Sequence, residues 1–476
     1  MEVESAEAAG STKPRFRMPV DSDNKATEFW LFSFAAPHML SFQMAWFSFF
    51  CCFVSTFAAP PLLAMGTACD LVGPRLASAA IILLTTPAVY CSAIMNTATG
   101  FILCRFFTGV ALASFVSTQF WMSSMFSSNK VGLANGYAGG WGNLGGGAVQ
   151  LLMPLVYEAI LKIGATPFTA WRIAFFIPGL MQSVSALAVL TLGQDMPGGN
   201  YHTLQKSGEM QKASATTVLR YGLGNYRGWI LALTYGYCFG VELAVNNIVA
   251  QYFFDRFGVN LRTAGLVAAS FGLVNVFSRP IGGFISDGLS RRFGMRGRLW
   301  GLWTVQTVEG VLCIALGLVD TSFGASVGVM IVFSLFVQAS EGLVFGVVPF
   351  VSRRALGVVN GMTGAGGSAC AVLTQFIFFS GSKYTTEKGI VYMGFMIIAC
   401  TLPVALIYFP QWGGMFMGPR PGATAEDYYN QEWTAEERDK GLNIACVRFA
   451  ENCGQEAGRR AVARHTVPVD ASPIHA

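Results

Sequence analysis

Between Gly132 and Gln150 the chain carries eight glycines in nineteen residues, inside a long apolar run. In water each glycine costs a helix about 1 kcal/mol relative to alanine, which argues against a soluble helix. In lipid a spanning segment satisfies its own backbone, and small residues let neighbouring backbones approach closely. The stretch therefore reads as a membrane helix in tight packing, with Asn143 and bare backbone open to a small polar ligand. It also recurs. Gly132, Asn135, Gly136, Gly139, Gly142 and Gln150 pair with Gly357, Asn360, Gly361, Gly364, Gly367 and Gln375 at a constant offset of 225. Six identities in nineteen positions indicate an internal duplication.

Composition agrees with a membrane setting. Charged residues make up 12% and hydrophobic ones 53%, with a mean hydropathy of +0.49. Soluble proteins carry about 25% charged residues. The net charge of +5 fits basic loops. No basic run with interleaved aromatics appears, so no nucleic-acid partner is expected. The eleven cysteines lack metal spacing and read as small buried hydrophobes, and no cofactor or metal is expected. Met1 to Lys25 is polar, so no cleavable signal peptide is expected. No His/Asp/Glu cluster, nucleophile elbow or Gly-x-x-x-x-Gly-Lys-Ser/Thr occurs, which disfavours an enzyme or an ATP-driven pump.

Apolar runs place five passages in a first half: Phe29 to Met65, Leu76 to Met95, Phe101 to Met122, Val131 to Ile160 and Trp171 to Leu192. Six follow in a second: Gly228 to Tyr252, Ala264 to Ile285, Leu299 to Leu318, Gly324 to Phe345, Leu356 to Phe379 and Ile390 to Phe409. The expected layout is an N-terminal tail (1–28), a first half (29–192), a linker (193–227) read as a solvated tether, a second half (228–410) and a partly disordered C-terminal tail (411–476). Arg291, Arg292, Arg296 and Arg298 share one loop, and Arg353 and Arg354 another. By the positive-inside rule these face the cytoplasm, with the linker and both termini.

A loop motif also occurs twice. Gly66, Asp70 and Arg75 head one copy; Gly283, Asp287, Arg291 and Arg292 head the other, 217 residues on. The glycine permits close helix crossing, and an aspartate followed by arginines can form a charge latch. This paired motif resembles that of the major facilitator superfamily, which implies an all-α membrane protein of two six-helix halves. Access to a midplane site then alternates as one half rocks on the other. The glycine-rich segments containing Gly140, Gly142, Gly145 and Gly146, and Gly364, Gly366 and Gly367, resemble the two signatures of the nitrate/nitrite porters. Phe34-Ala-Ala-Pro-His38, Thr169 to Phe176 and Arg292 to Trp300 resemble plant high-affinity nitrate transporters.

That resemblance implies nitrate import by symport with protons, residence in the plasma membrane, and a small nitrate-assimilation-related accessory membrane protein as partner. Nitrite is a second candidate substrate. Independently, moving an anion through hydrocarbon needs a positive partner, and an intramembrane arginine is a functional candidate by default. Arg279 lies well inside an apolar run, and a guanidinium can hold a planar oxyanion with two parallel hydrogen bonds. The plainer reading pairs it with a buried acid, Glu242 or Glu341. The resemblance further assigns Asn143, Tyr235, Phe239 and Phe115 to the anion site, each also explicable as helix packing. Arg105, near an interface, reads as snorkelling. Glu242, Glu309 and Glu341 are candidate proton carriers, with nothing to select among them.

The first half departs from the pattern. The position equivalent to Arg279, four before the motif glycine, is Leu62, where related porters carry a second arginine. From Trp229 to Gly283 there are 54 residues, room for two passages; from Phe34 to Gly66 there are 32. At about 20 residues per passage the first half lacks most of its second helix, roughly 20 to 30 residues, leaving about 11 passages. One passage from a cytoplasmic terminus would put Asp70 on the wrong side. Three explanations are open: a re-entrant segment bent at Pro60-Pro61, a flipped N-terminus, or a splice or gene-model deletion, which the spacing favours. An alternative function follows, a transport-impaired or regulatory relative.

Overall fold

The computed structural model describes residues 16–53, 62–207, 214–319, 322–381 and 384–458. The first half holds α1 (His38–Phe53), α2 (Leu62–Val72), α3 (Pro74–Ser92), α4 (Ala98–Val110), α5 (Ser114–Met125), α6 (Val131–Lys162), α7 (Pro167–Ala174) and α8 (Phe176–Leu192). Two short helices, α9 (Tyr201–Lys206) and α10 (Ala215–Gly224), lead into the second half. There α11 (Tyr226–Gly236), α12 (Phe239–Phe257), α13 (Leu261–Leu273), α14 (Asn275–Phe293), α15 (Met295–Leu318), α16 (Phe323–Phe345), α17 (Leu356–Thr374) and α18 (Thr386–Thr401) follow. Among the described residues nine helical runs are long and apolar enough to cross a membrane, and α6, bent by 40° beyond Val149, makes a tenth.

The first passage holds two helices. α2 has eleven residues, about 16 Å at 1.5 Å per residue, half of a hydrocarbon core of about 30 Å. α1 has sixteen residues, and its Phe49 lies 5.3 Å from the central Phe115 ring. Asp70 lies at the same end of the bundle as Asp287. The connection between the two helices, with the Pro60-Pro61 bend expected there, lies outside the described residues. A flipped N-terminus is not needed, because residues 16–37 pack at that same end, called here the tail end. Ala26 bonds Met125 and Ser127 through the backbone at 3.0 Å, and His38 reaches the Asn24 carbonyl.

The tail end is more ordered than its polar composition implies. The linker is no free tether: Asp195 is buried and accepts bonds from the amides of Arg75 (2.8 Å) and Tyr201 (3.1 Å). The C-terminal region is built through Gly458. It carries the short hairpin β1 (Tyr408–Phe409) and β2 (Gly413–Gly414), then α19 (Ala425–Asn430), α20 (Ala435–Asp439) and α21 (Ile444–Glu451). Tyr429 and Phe449 are buried beneath the second half. Arg354 pairs with Glu437 at 2.5 Å and its hydrogen bond holds that carboxyl at about 2. Burial drives the Lys25 ammonium down from its ordinary value, although Asp23 stands 2.7 Å away.

At the centre of this end Arg298 is fully buried. It donates to Asp287 (2.8 Å), to both Glu456 oxygens (2.9 and 2.8 Å) and to the Ser128 carbonyl (3.1 Å). Glu456→Ala leaves a buried guanidinium short of its bidentate partner, and breaking such a pair costs about 3–5 kcal/mol. Thermal unfolding of the purified chain is expected to begin several degrees lower; an unmoved transition would mean that the tail does not hold Arg298.

Candidate functional site

The two halves meet through the paired motifs. Asp287 accepts bonds from the amides of Gly132 (3.2 Å) and Leu133 (2.8 Å), at the first turn of α6. Asp70 does the same to Gly357 (2.9 Å) and Val358 (3.0 Å), at the first turn of α17. Each aspartate satisfies two donors that a helix start leaves open, and its charge suits the positive end of the helix dipole. One turn deeper, a Cβ on Gly283 would overlap the Gly132 carbonyl, and one on Gly66 would overlap the Gly357 carbonyl. Deeper again, a Cβ on Gly136 would come within 2.7 Å of the Arg279 carbonyl, and one on Gly361 within 2.6 Å of the Leu62 carbonyl. Three matched layers establish a pseudo-twofold in which Leu62 is the partner of Arg279.

Arg279 is fully buried at the middle of the bundle. Its guanidinium forms an ion pair with Glu341 of α16 and donates to the Tyr235 hydroxyl. Three rings wall it: the guanidinium carbon lies 5.4 Å from the Phe115 centroid, 5.8 Å from Tyr235 and 5.9 Å from Phe239. Phe115 stacks on both others, and Phe345 packs edge-on against Phe115 and Tyr235. Glycine makes the room. A Cβ at Gly139 would sit 2.7 Å from the Arg279 Nε, and one at Gly367 would sit 2.7 Å from the Phe239 ring. Gly140 packs on Asn275 and Arg279, Gly366 on the Ala232 backbone, and Gly364 in ordinary contact with Leu62.

A second acid lies alongside. Glu242 of α12 is buried and accepts from Asn143 (3.2 Å) and Asn275 (2.6 Å). Glu242 and Glu341 both lie near Arg279. One cation, a ring cage and two buried acids thus meet at the middle of the bundle.

The sequence-derived positions fall unevenly on this geometry. Arg279, Phe115, Tyr235 and Phe239 converge. Asn143 reaches the same cavity but spends its amide on Glu242. Gly142 packs on Phe49, Gly145 is buried and Gly146 half-buried away from the arginine's contacts. Of the motif arginines, Arg75 anchors the Leu190 carbonyl at 2.8 Å. Arg291 and Arg292 are exposed, so the expected latch of Asp287 to these two is corrected: Arg298 takes that place. Its helix register brings it beneath Asp287, whereas the earlier pair point outward. Arg105 is exposed, as snorkelling requires. Glu456 and Arg298 were not singled out as a pair, since 158 residues separate them. Glu309 is buried on α15.

Comparison with known proteins agrees with this architecture. The sequence profile of the Major Facilitator Superfamily matches residues 26–372. High-affinity nitrate transporter 2.3 of Oryza sativa subsp. japonica is 70% identical over 507 positions, covering 99% of this chain and 98% of that protein. High affinity nitrate transporter 2.5 of Arabidopsis thaliana is 59% identical over 495 positions, covering 96% and 98%. Since 507 aligned positions exceed the 476 residues present, at least 31 positions have no counterpart here. The solved fucose:proton symporter of E. coli has a TM-score of 0.52 at 13% identity, covering 77% of this chain and 92% of that one, and shows the fold alone. With this profile, these relatives and two halves related through paired motifs, the chain belongs to the major facilitator superfamily, in its branch of plant-type high-affinity nitrate transporters.

Proposed function

We propose that the chain imports nitrate together with protons by alternating access between its two halves. The observation that carries this reading is the caged guanidinium of Arg279. A buried cation with a flat donor edge and aromatic walls suits a flat, weakly hydrated oxyanion. The names of the two plant relatives support nitrate as that anion. The non-transporting alternative is not favoured: the arginine, the ring cage and both glycine-rich helices are in place despite Leu62. In this reading the tail end is cytoplasmic, with both termini and the linker, and the membrane is the plasma membrane. The domain layout follows the same halves, 29–192 and 228–410, joined through 193–227. The partner is a small accessory membrane protein of the nitrate-assimilation-related type.

Labelled nitrate uptake in oocytes tests it, with and without the accessory protein and with surface level measured in the same cells. Uptake well above uninjected cells, reduced by excess unlabelled nitrate, is expected. Absence of uptake at normal surface level, with the partner present, overturns the reading.

A further inference from the structure

Arg279 already has an anion. One oxygen of the Glu341 carboxylate pairs with the guanidinium through Nη1, so a flat trigonal anion already stands on that side of it. Glu242 holds the amides of Asn143 and Asn275, the neighbouring neutral donors. The two acids therefore occupy donors that an incoming anion needs. We propose that Glu341 is a resident counter-anion that yields Arg279 to nitrate only on taking up a proton. This rests on the nitrate reading above and deepens it by naming the coupling group.

Charge balance carries the argument. Arg279 and the Glu341 carboxylate form a neutral pair. Adding nitrate brings one uncompensated negative charge into a dry site, which is costly. A proton delivered to a Glu341 oxygen restores the balance and breaks the ion pair, so the guanidinium edge is free. Loss of that proton to the other side returns Glu341 to Arg279 and expels the anion. The groups facing Glu341 are few. Arg279 comes from α14, Glu242 from α12, Glu309 from α15, and Tyr235 and Cys238 from α11 and the turn after it. Arg279 is the one cation among them. Among the described residues Glu309 makes no hydrogen bond to the arginine or to another donor, so it holds no donor that nitrate needs.

The test counts protons. Nitrate binding to the purified full-length chain is followed by calorimetry in buffers of different ionisation heat, from about pH 6 to pH 8, where linkage converts proton uptake into the slope of affinity on pH. Uptake of about one proton per nitrate is expected, with affinity falling up to tenfold per pH unit at the alkaline end. Glu341→Gln should bind nitrate more tightly than the parent at pH 8, with the proton count near zero and the slope flattened. Nitrate binding by the parent with no proton uptake overturns the inference, and this measurement stands even where Glu341→Gln does not fold. So does a parental proton count in Glu341→Gln. An absence of nitrate binding by the parent at every pH is a different result, and it refutes the nitrate reading itself.

Discussion

Arg279→Ala is expected to abolish nitrate binding and uptake, while Arg105→Ala leaves both near the parental level. A hydrogen bond to a charged group is worth about 1.5–3 kcal/mol, so two lost together amount to about 3–6 kcal/mol. That is a loss of at least about a hundredfold in affinity, at 1.4 kcal/mol per factor of ten. Leu62 strengthens the expectation, since the opposite half supplies no second guanidinium to compensate. The substitution also strands Glu341 and Glu242 in a buried cavity, which threatens folding. Arg279→Gln combined with Glu341→Gln removes cation and acid together and leaves two neutral polar side chains. It is expected to reach the surface and still transport nothing. Equal losses from Arg279→Ala and Arg105→Ala at matched surface level would remove Arg279 from the anion site.

Gly283→Ala should be nearly as damaging through a different cause. One methyl group there meets the Gly132 carbonyl, a backbone atom that cannot swing aside, so α14 and α6 must separate. Overpacking of this kind costs about 1–3 kcal/mol, and here it falls on the contact that closes the tail end. Uptake is expected to fall at least tenfold, with a lower thermal transition. Gly288 is the internal control: it lies on the same helix, five residues on, with nothing within 4 Å of an added Cβ. Gly288→Ala should be silent in both measurements. If the two variants behave alike, close backbone contact is not what those glycines provide.

Much of this architecture was legible in the residues. Passages declare themselves because lipid demands long apolar helices. The pseudo-twofold could be read because close backbone crossings tolerate only glycine, which left Gly66, Gly283, Gly136 and Gly361 at matched offsets. The first passage was harder. The 32 residues from Phe34 to Gly66 fit neither one full passage nor two, so counting alone could not place the two helices α1 and α2. The ordered tail was hidden for another reason. Its short helices are polar and lack a long apolar face, so their composition resembles a solvated tail, and Glu456 finds Arg298 only in three dimensions. The three buried acids were visible from the start. Their ranking depends on which carboxyl meets the guanidinium, and only the crossing of α14 with α16 decides that.

The exchanged aspartate caps have an implication for ancestry. Asp70 closes a helix belonging to the second half, and Asp287 closes the equivalent helix of the first, so neither half completes its own helix starts. In a symmetric dimer residue i of one copy meets residue j of the other, and j meets i in return. A half-length precursor could satisfy both caps only by docking on a second copy of itself. The duplication written in the glycine spacing therefore reads as the fusion of a protein that was already an obligate pair, with the linker added to a partnership that existed before it.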